Sequence, residues 1–325
     1  EQMISDLINL LFELWLTSGT RPEYMWDKLT EKTKHWKHRI QTFIHWSSVC
    51  VAVNERVLQI LYGPSIGTES IEFRRVDGEL VELYLDDAYV LIVWHRMLHL
   101  LGQFEGTVSS SENYFEAIKG ISKITRAFVE LKNKNLVNSA GANIPPPSGN
   151  TILDMSGGWL LEAINTFQKG FDFGKTEALE TLCLVFTSRP ATDFHPNYLA
   201  HFYRGVEKAL NIQNTVLLGV ILKHSKPFFM QQYRGSHVLI PAFVLSFGRV
   251  LFPDVQGSVS KEQSVIKTHQ SQRMELPLLQ KASLKIMFSM LCLSKHYNDT
   301  QFNCASSQRP PMLDSLPLLQ KFSNL

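Results

Sequence analysis

At 325 residues the chain can form one large domain or two ordinary ones, and a chain of this size buries about three quarters of its unfolded surface. An apolar fraction of 44% with 19% charged residues excludes a disordered chain, and a net charge of +2 with mixed signs argues against a nucleic-acid binder. Nothing approaches the ~18 apolar residues of a membrane span. The nearest run, Val238 to Phe252, holds Pro241, Ser246, Gly248 and Arg249 and reads as a buried helix.

Helix-sized apolar segments then follow one another, at roughly 3–17, 36–61, 86–102, 112–133, 151–169, 175–187, 196–211, 214–224, 236–252, 274–293 and 313–323. In the first, Leu7, Leu10, Leu11, Leu14 and Trp15 recur at three- and four-residue steps and mark one buried stripe. Lys32, Lys34, Lys37 and Arg39, with His35 and His38, follow acidic Glu31 and read as a solvated helix face. Ile71 to Tyr84 alternates around Asp77-Gly78 and predicts a hairpin inserted between helices. Asp86 and Asp87 can cap the helix on which Val90, Val93, Trp94, Met97 and Leu101 share a face. Asn197 can cap the helix presenting Tyr198, Phe202 and Val206.

Two breaks interrupt the succession. Asn133 to Asn150 contains Pro145-Pro146-Pro147 among Asn, Gly and Ser and reads as a linker; Asp254 to Arg273 is polar, aperiodic and reads as a mobile loop. The organisation expected is N-terminal helical repeats at 1–135, a Pro-rich linker at 136–150, central repeats at 151–253, a polar loop at 254–273 and C-terminal helices at 274–325. The hexamer Leu276-Pro277-Leu278-Leu279-Gln280-Lys281 recurs forty residues later as Leu316 to Lys321, at the lower edge of the armadillo/HEAT period. The fold class is all-α: armadillo/HEAT-like stacked helical repeats, an α-solenoid, with one small β-hairpin excursion.

Cys50, Cys183, Cys292 and Cys304 form no C-x-x-C pair, and three lie in apolar helical runs. They fit a reducing, cytoplasmic setting better than a zinc site or a disulfide framework. The chain starts at Glu1 and reads as a fragment or processed product, so a missing signal peptide says little.

Motifs that could carry chemistry fail on context. Gly63-Pro64-Ser65-Ile66-Gly67 matches the G-x-S-x-G nucleophile elbow, but a helical run precedes it and a hairpin follows, where the elbow needs strand then helix. His95 and His99 have zinc-protease spacing, yet Arg96 stands where the motif needs glutamate. His35, His38 and His45 lack a thiolate or carboxylate set to complete a site. Gly174-Lys175-Thr176 resembles the end of a phosphate loop, but Gly170 is one residue too close and a helix precedes it. No catalytic, cofactor or metal residue is assigned. Six tryptophans and twenty phenylalanines are mostly core at helical spacing, with an apolar groove between stacked helices the natural docking surface.

An ordered series of segments resembles the beta subunit of the Ral GTPase-activating protein complex, in its helical region far upstream of the GAP domain. It starts at Leu11-Phe12-Glu13-Leu14-Trp15-Leu16 and runs through Tyr62-Gly63-Pro64-Ser65, Trp94 to Leu101 and Gly120-Ile121-Ser122. It resumes at Gly158-Trp159-Leu160, Glu177-Ala178 with Leu182-Cys183, Tyr198-Leu199 with Phe202-Tyr203, Val220-Ile221-Leu222, Pro227 with Phe229, and Pro241 to Asp254. The family pattern lacks the second glycine of the elbow and carries a long Ser/Pro-rich insert where this chain has only Asn133 to Asn150. The resemblance implies a non-catalytic regulatory subunit that pairs with a catalytic alpha subunit to stimulate GTP hydrolysis on Ral-type small GTPases. Wherever they are exposed, Trp94, Trp159, Tyr203 and Phe229 are then the candidate partner contacts. Alternatives are a tuberin-like subunit acting on a Rheb-type GTPase, an unrelated helical adaptor, and a serine hydrolase using Ser65. Regulatory phosphosites would fall in Asp254 to Arg273 or Asn133 to Asn150.

Overall fold

The computed structural model describes residues 2–75, 78–104, 110–138, 140–166, 170–188, 194–212, 214–230, 233–252 and 276–292. The chain divides into two compact units, Glu1–Thr181 and Leu182–Leu325. The first holds α1 (Gln2–Thr17), α2 (Glu23–Lys34), α3 (Ile40–Tyr62), the strands β1 (Ile71–Arg74) and β2 (Leu80–Leu83), α4 (Asp87–His99), α5 (Ser111–Glu130) and α6 (Gly149–Asn165). The boundary falls within α7 (Asp172–Ser188). The second unit continues with α8 (Pro196–Asn211), α9 (Thr215–His224), the short α10 (Lys226–Met230), α11 (Ile240–Leu251) and α12 (Leu276–Cys292). The stacked all-α fold expected from the sequence is the fold observed, and the single hairpin among the described residues pairs Ile71 with Leu83 and Phe73 with Val81.

The first unit is built around α3, whose buried residues run from Thr42 to Leu58 and face α1, α4, α5 and β1 in turn. Trp46 is fully buried there; its indole Nε1 donates to the Met97 carbonyl at 2.6 Å and its ring meets Phe104 edge-on at 5.9 Å. α5 comes close enough at Gly120 that a Cβ would stand 2.6 Å from the Ser47 hydroxyl. The second unit has its own aromatic core: Phe186 stacks on Phe202 at 4.2 Å, and Phe229 meets Phe243 edge-on at 4.9 Å.

Helix starts follow side-chain chemistry. Asp86 accepts from the Tyr89 N–H at 3.1 Å, as its position predicts, and Ser110, Ser148 and Asn214 cap α5, α6 and α9 in the same manner. α8 departs from expectation. Its cap is His195, whose Nδ1 accepts from the Asn197 N–H, because Pro196 takes the first helical position and moves Asn197 inside the helix.

The 36–61 segment also divides differently. α3 starts at Ile40, after a turn at 35–38, and α2 precedes it at Glu23–Lys34. α2 buries only Trp26, Leu29 and Thr33, too sparse an apolar stripe to stand out in the sequence. The 236–252 segment opens as a 3-10 turn at Ser236–Leu239 before α11. The expected 254–273 loop, the 313–323 helix, the second leucine hexamer and Cys304 lie outside the described residues.

Candidate interaction surface

The residues that imitate catalytic motifs are placed by packing. Gly63 ends α3 with φ +102°, Ile66 tucks inward, and Ser65 stands exposed on a turn leading to β1. The order is helix, turn, strand, the reverse of a nucleophile elbow. Ser65→Ala is therefore expected to shift stability by less than about 0.5 kcal/mol in urea melts. Labelling of Ser65 by a fluorophosphonate probe would contradict this reading.

His95 and His99 lie with ring centroids 4.8 Å apart, and His99 rests on Trp159 at 5.0 Å. Arg96 between them turns to Glu23, 2.8 Å away. Partial burial, then the neighbouring His95, lowers the His99 pKa. His45 is buried elsewhere and hydrogen-bonds the Ser5 hydroxyl at 2.7 Å, with its pKa lowered by burial. Among the described residues no three His, Cys, Asp or Glu side chains gather at metal-binding distance. Gly174-Lys175-Thr176 lies in the first turns of α7. A Cβ on Gly174 would meet the Tyr114 ring at 2.6 Å, so this glycine admits α5, and Thr176 bonds back to the Asp172 carbonyl.

A cavity lined in part by Cys183, Phe202, His224 and Phe243 offers about 10 Å³, room for about one water and none for a substrate.

The four candidate contact residues are engaged internally. Trp159 and Tyr203 are buried and donate to the carbonyls of Gly102 at 2.9 Å and Arg234 at 2.8 Å. Phe229 is fully buried. Trp94 is half-buried, donates to Asn54 Oδ1 at 3.1 Å and packs near Phe128. They belong to two units: Trp94 and Trp159 to the first, Tyr203 and Phe229 to the second.

The surface feature of the first unit is α1. The sequence suggested that Leu7, Leu10 and Leu14 belong to a buried stripe, and the structure reverses this. Ile8, Phe12 and Leu16 face α3, and Leu11 and Trp15 are half-buried. Met3, Leu7, Leu10 and Leu14 remain 71%, 58%, 46% and 57% exposed. The reason is that α1 is apolar around most of its circumference, so periodicity offers two stripes, and the core takes the one carrying the large Phe12 ring.

The exposed residues advance by four, three and four positions, the spacing of a helix-pairing seam. The stripe is presented rigidly. Ser5 is bonded to His45, Arg75 pairs with Glu13, and the Tyr89 hydroxyl donates to the Trp15 carbonyl at 3.3 Å. Replacing Leu7, Leu10 and Leu14 together by Ser is expected to leave the chain folded at a total cost of about 1–3 kcal/mol, whereas Phe12→Ala alone should cost about 3–5 kcal/mol. A cooperative loss of folding in the triple variant would mean that these leucines are core residues.

Among the described residues, stacked helices present one exposed apolar seam on α1, and no three potential metal ligands gather. Residues 1–64, which contain α1, α2 and α3, match the RALGAPB N-terminal domain, and the chain is similar to Ral GTPase-activating protein subunits. It is 20% identical to the human Ral GTPase-activating protein subunit beta over 91% of this chain and 30% of that protein. A Rap-GAP domain-containing protein of Dictyostelium discoideum is 28% identical over 91% of this chain and 16% of its own length. Rat Ral GTPase-activating protein subunit alpha-2 is 25% identical over 62% of this chain and 11% of its length. The chain thus spans under a third of each of these relatives, and alpha- and beta-type subunits both resemble it. No solved structure matches.

Proposed function

We propose that this chain is the helical assembly region of a beta-type regulatory subunit in a cytoplasmic GTPase-activating protein complex. It has no catalytic role of its own and positions a catalytic alpha subunit that acts on a Ral-type small GTPase. The observation that carries the proposal is the exposed Met3-Leu7-Leu10-Leu14 seam, which lies within the part of the chain matching the RALGAPB N-terminal domain. Four large aliphatic side chains on one rigid helix face supply the desolvated centre that a stable interface needs. α1 carries no Lys or Arg, exposes Asp6 and has Glu13 taken up by Arg75, so the fitting partner element is an amphipathic helix with a leucine-type stripe. Of the four aromatic candidates, Trp94 is half-buried and stands as a secondary contact, while the buried Trp159, Tyr203 and Phe229 support the faces from inside.

A turnover assay tests the non-catalytic part. The chain alone is expected to leave GTP hydrolysis by a Ral-type GTPase at its intrinsic rate. Because one relative carries a Rap-GAP domain in its name, a Rap-type GTPase belongs in the same assay. Stimulation of either GTPase by the isolated chain, above about twofold, would refute the reading.

A further inference from the structure

The turn that joins α2 to α3 concentrates charge that plays no part in the α1 seam. From Lys32 to Arg39 the chain carries Lys32, Lys34, His35, Lys37, His38 and Arg39 without a single carboxylate. Along one line of α2, Tyr24, Lys28, Lys32 and His35 succeed one another at helical spacing, all exposed, with the Lys28 ammonium 5.6 Å from the centre of the Tyr24 ring. Trp36 sits half-buried in the turn itself. Among the described residues none of Lys28, Lys32, Lys34 and Arg39 has a carboxylate within ion-pair distance.

This corner is held in place. Thr33 is buried and its hydroxyl donates to the Leu100 carbonyl at 3.4 Å. The Trp36 carbonyl accepts from the Thr42 hydroxyl at 3.1 Å and from the Arg39 N–H at 2.9 Å. The Lys37 carbonyl accepts from Asn113 Nδ2 at 3.0 Å. The backbone beneath the cations is therefore fixed by α3, α4 and α5, and the cations crowd one another: burial and then the Lys34 charge lower the Lys37 pKa.

We propose that the α2–α3 corner docks on an anionic lipid bilayer, with Lys28, Lys32, Lys34 and Arg39 against the headgroups and Tyr24 and Trp36 at headgroup level. An anionic bilayer is recognised by a local cluster of about four to eight cations, which the end of α2 and the turn after it supply, and Tyr and Trp favour the headgroup interface. Glu23, Asp27 and Glu31 on α2 and Glu112 at the start of α5 limit the basic footprint for either polyanion, and Tyr24 and Trp36 favour the bilayer, because a nucleic-acid duplex offers them no headgroup interface. The proposal does not depend on the α1 seam or on the identity of any protein partner.

Flotation of the 325-residue chain with phosphatidylcholine vesicles, with and without about 30 mol% phosphatidylserine, tests it at about 0.1 M salt. Partition onto the anionic vesicles is expected to exceed partition onto neutral ones by at least about 100-fold. The Lys32→Ala/Lys34→Ala variant should lose about 25-fold of that partition, and Lys28→Glu, the second variant should the first fold poorly, at least about fivefold. Lys281→Ala/Lys285→Ala on α12 removes the same charge elsewhere and should change nothing. Equal partition onto neutral vesicles, no partition at all, or an equal loss from the α12 variant overturns the proposal. So does tighter capture, at the same salt, of a DNA duplex through the same lysines.

Discussion

Gly63→Ala is expected to destabilise the first unit by at least about 4 kcal/mol, a large part of the ~5–15 kcal/mol that holds an ordinary domain folded. Two effects add. The residue ends α3 with φ +102° and ψ +166°, a region essentially reserved for glycine. A Cβ at this position would also lie 1.9 Å from the Val137 carbonyl oxygen, a backbone atom that no rotamer change can move. The segment around Val137 would have to lift from the end of α3, together with its bridge to Asn143 and the Asn138 side chain that accepts from the Ala140 and Ala142 N–H groups. Gly19 is the control. It too has positive φ, +63°, but nothing stands within 4 Å of its Cβ position, so Gly19→Ala should cost only about 1–2 kcal/mol. Urea unfolding of the two variants measures the difference; equal costs would mean that the approach of Val137 is not what requires the glycine.

Removal of the Arg126 side chain should cost about 3 kcal/mol at neutral pH, and less in acid. Arg126 on α5 reaches α7 three times: to Glu177 at 2.9 Å, to Glu180 at 3.4 Å and to the Thr181 hydroxyl at 3.1 Å. Burial raises the Glu177 pKa, and Arg126 only partly offsets it. Arg126→Met leaves this carboxylate buried without its cation, so the pKa rises further. The sign follows from linkage. A carboxyl whose folded pKa lies above its unfolded value binds a proton more readily in the folded state. The folded state therefore gains stability as pH falls through that raised pKa, towards the unfolded one. Thermal melts at about pH 7.5 and pH 5 should show the deficit of Arg126→Met shrinking on acidification, and Glu177→Gln in the same background should recover most of it. A deficit that ignores pH would place the loss in aliphatic packing of the arginine stem instead.

How much of this was legible in the sequence depended on how one-sided each signal was. The hairpin could be read because Ile71 and Phe73 alternate with polar residues and a turn follows; β1 buries those two side chains. Asp86 could be read as a cap because nothing competes with it, whereas beside Pro196 the cap moved to His195. α2 was missed because three buried residues in twelve make no visible stripe. α1 misled for the opposite reason. Its apolar residues encircle the helix, so the sequence located the helix but could not say which stripe faces α3. The helix–turn–strand order around the G-x-S-x-G pattern is legible in the sequence and is the order observed, yet only the structure explains both glycines. Gly67, with φ +76°, would carry a Cβ 2.0 Å from the Glu55 carbonyl oxygen. The aromatic candidates were legible as large rings and not as exposed ones, since burial of Phe229 or Trp159 depends on which helices cover them. The resemblance to a Ral GTPase-activating protein subunit needed no such geometry, because it rested on an ordered series of segments.

The most direct test of the assembly role is co-expression of the chain with the catalytic alpha subunit, followed by size-exclusion chromatography with light scattering. An assembly role through α1 gives a stoichiometric complex with the unaltered chain, and two separate, folded species once Leu7, Leu10 and Leu14 are replaced by Ser. Separate peaks with the unaltered chain, or a complex that survives the triple substitution, would contradict it.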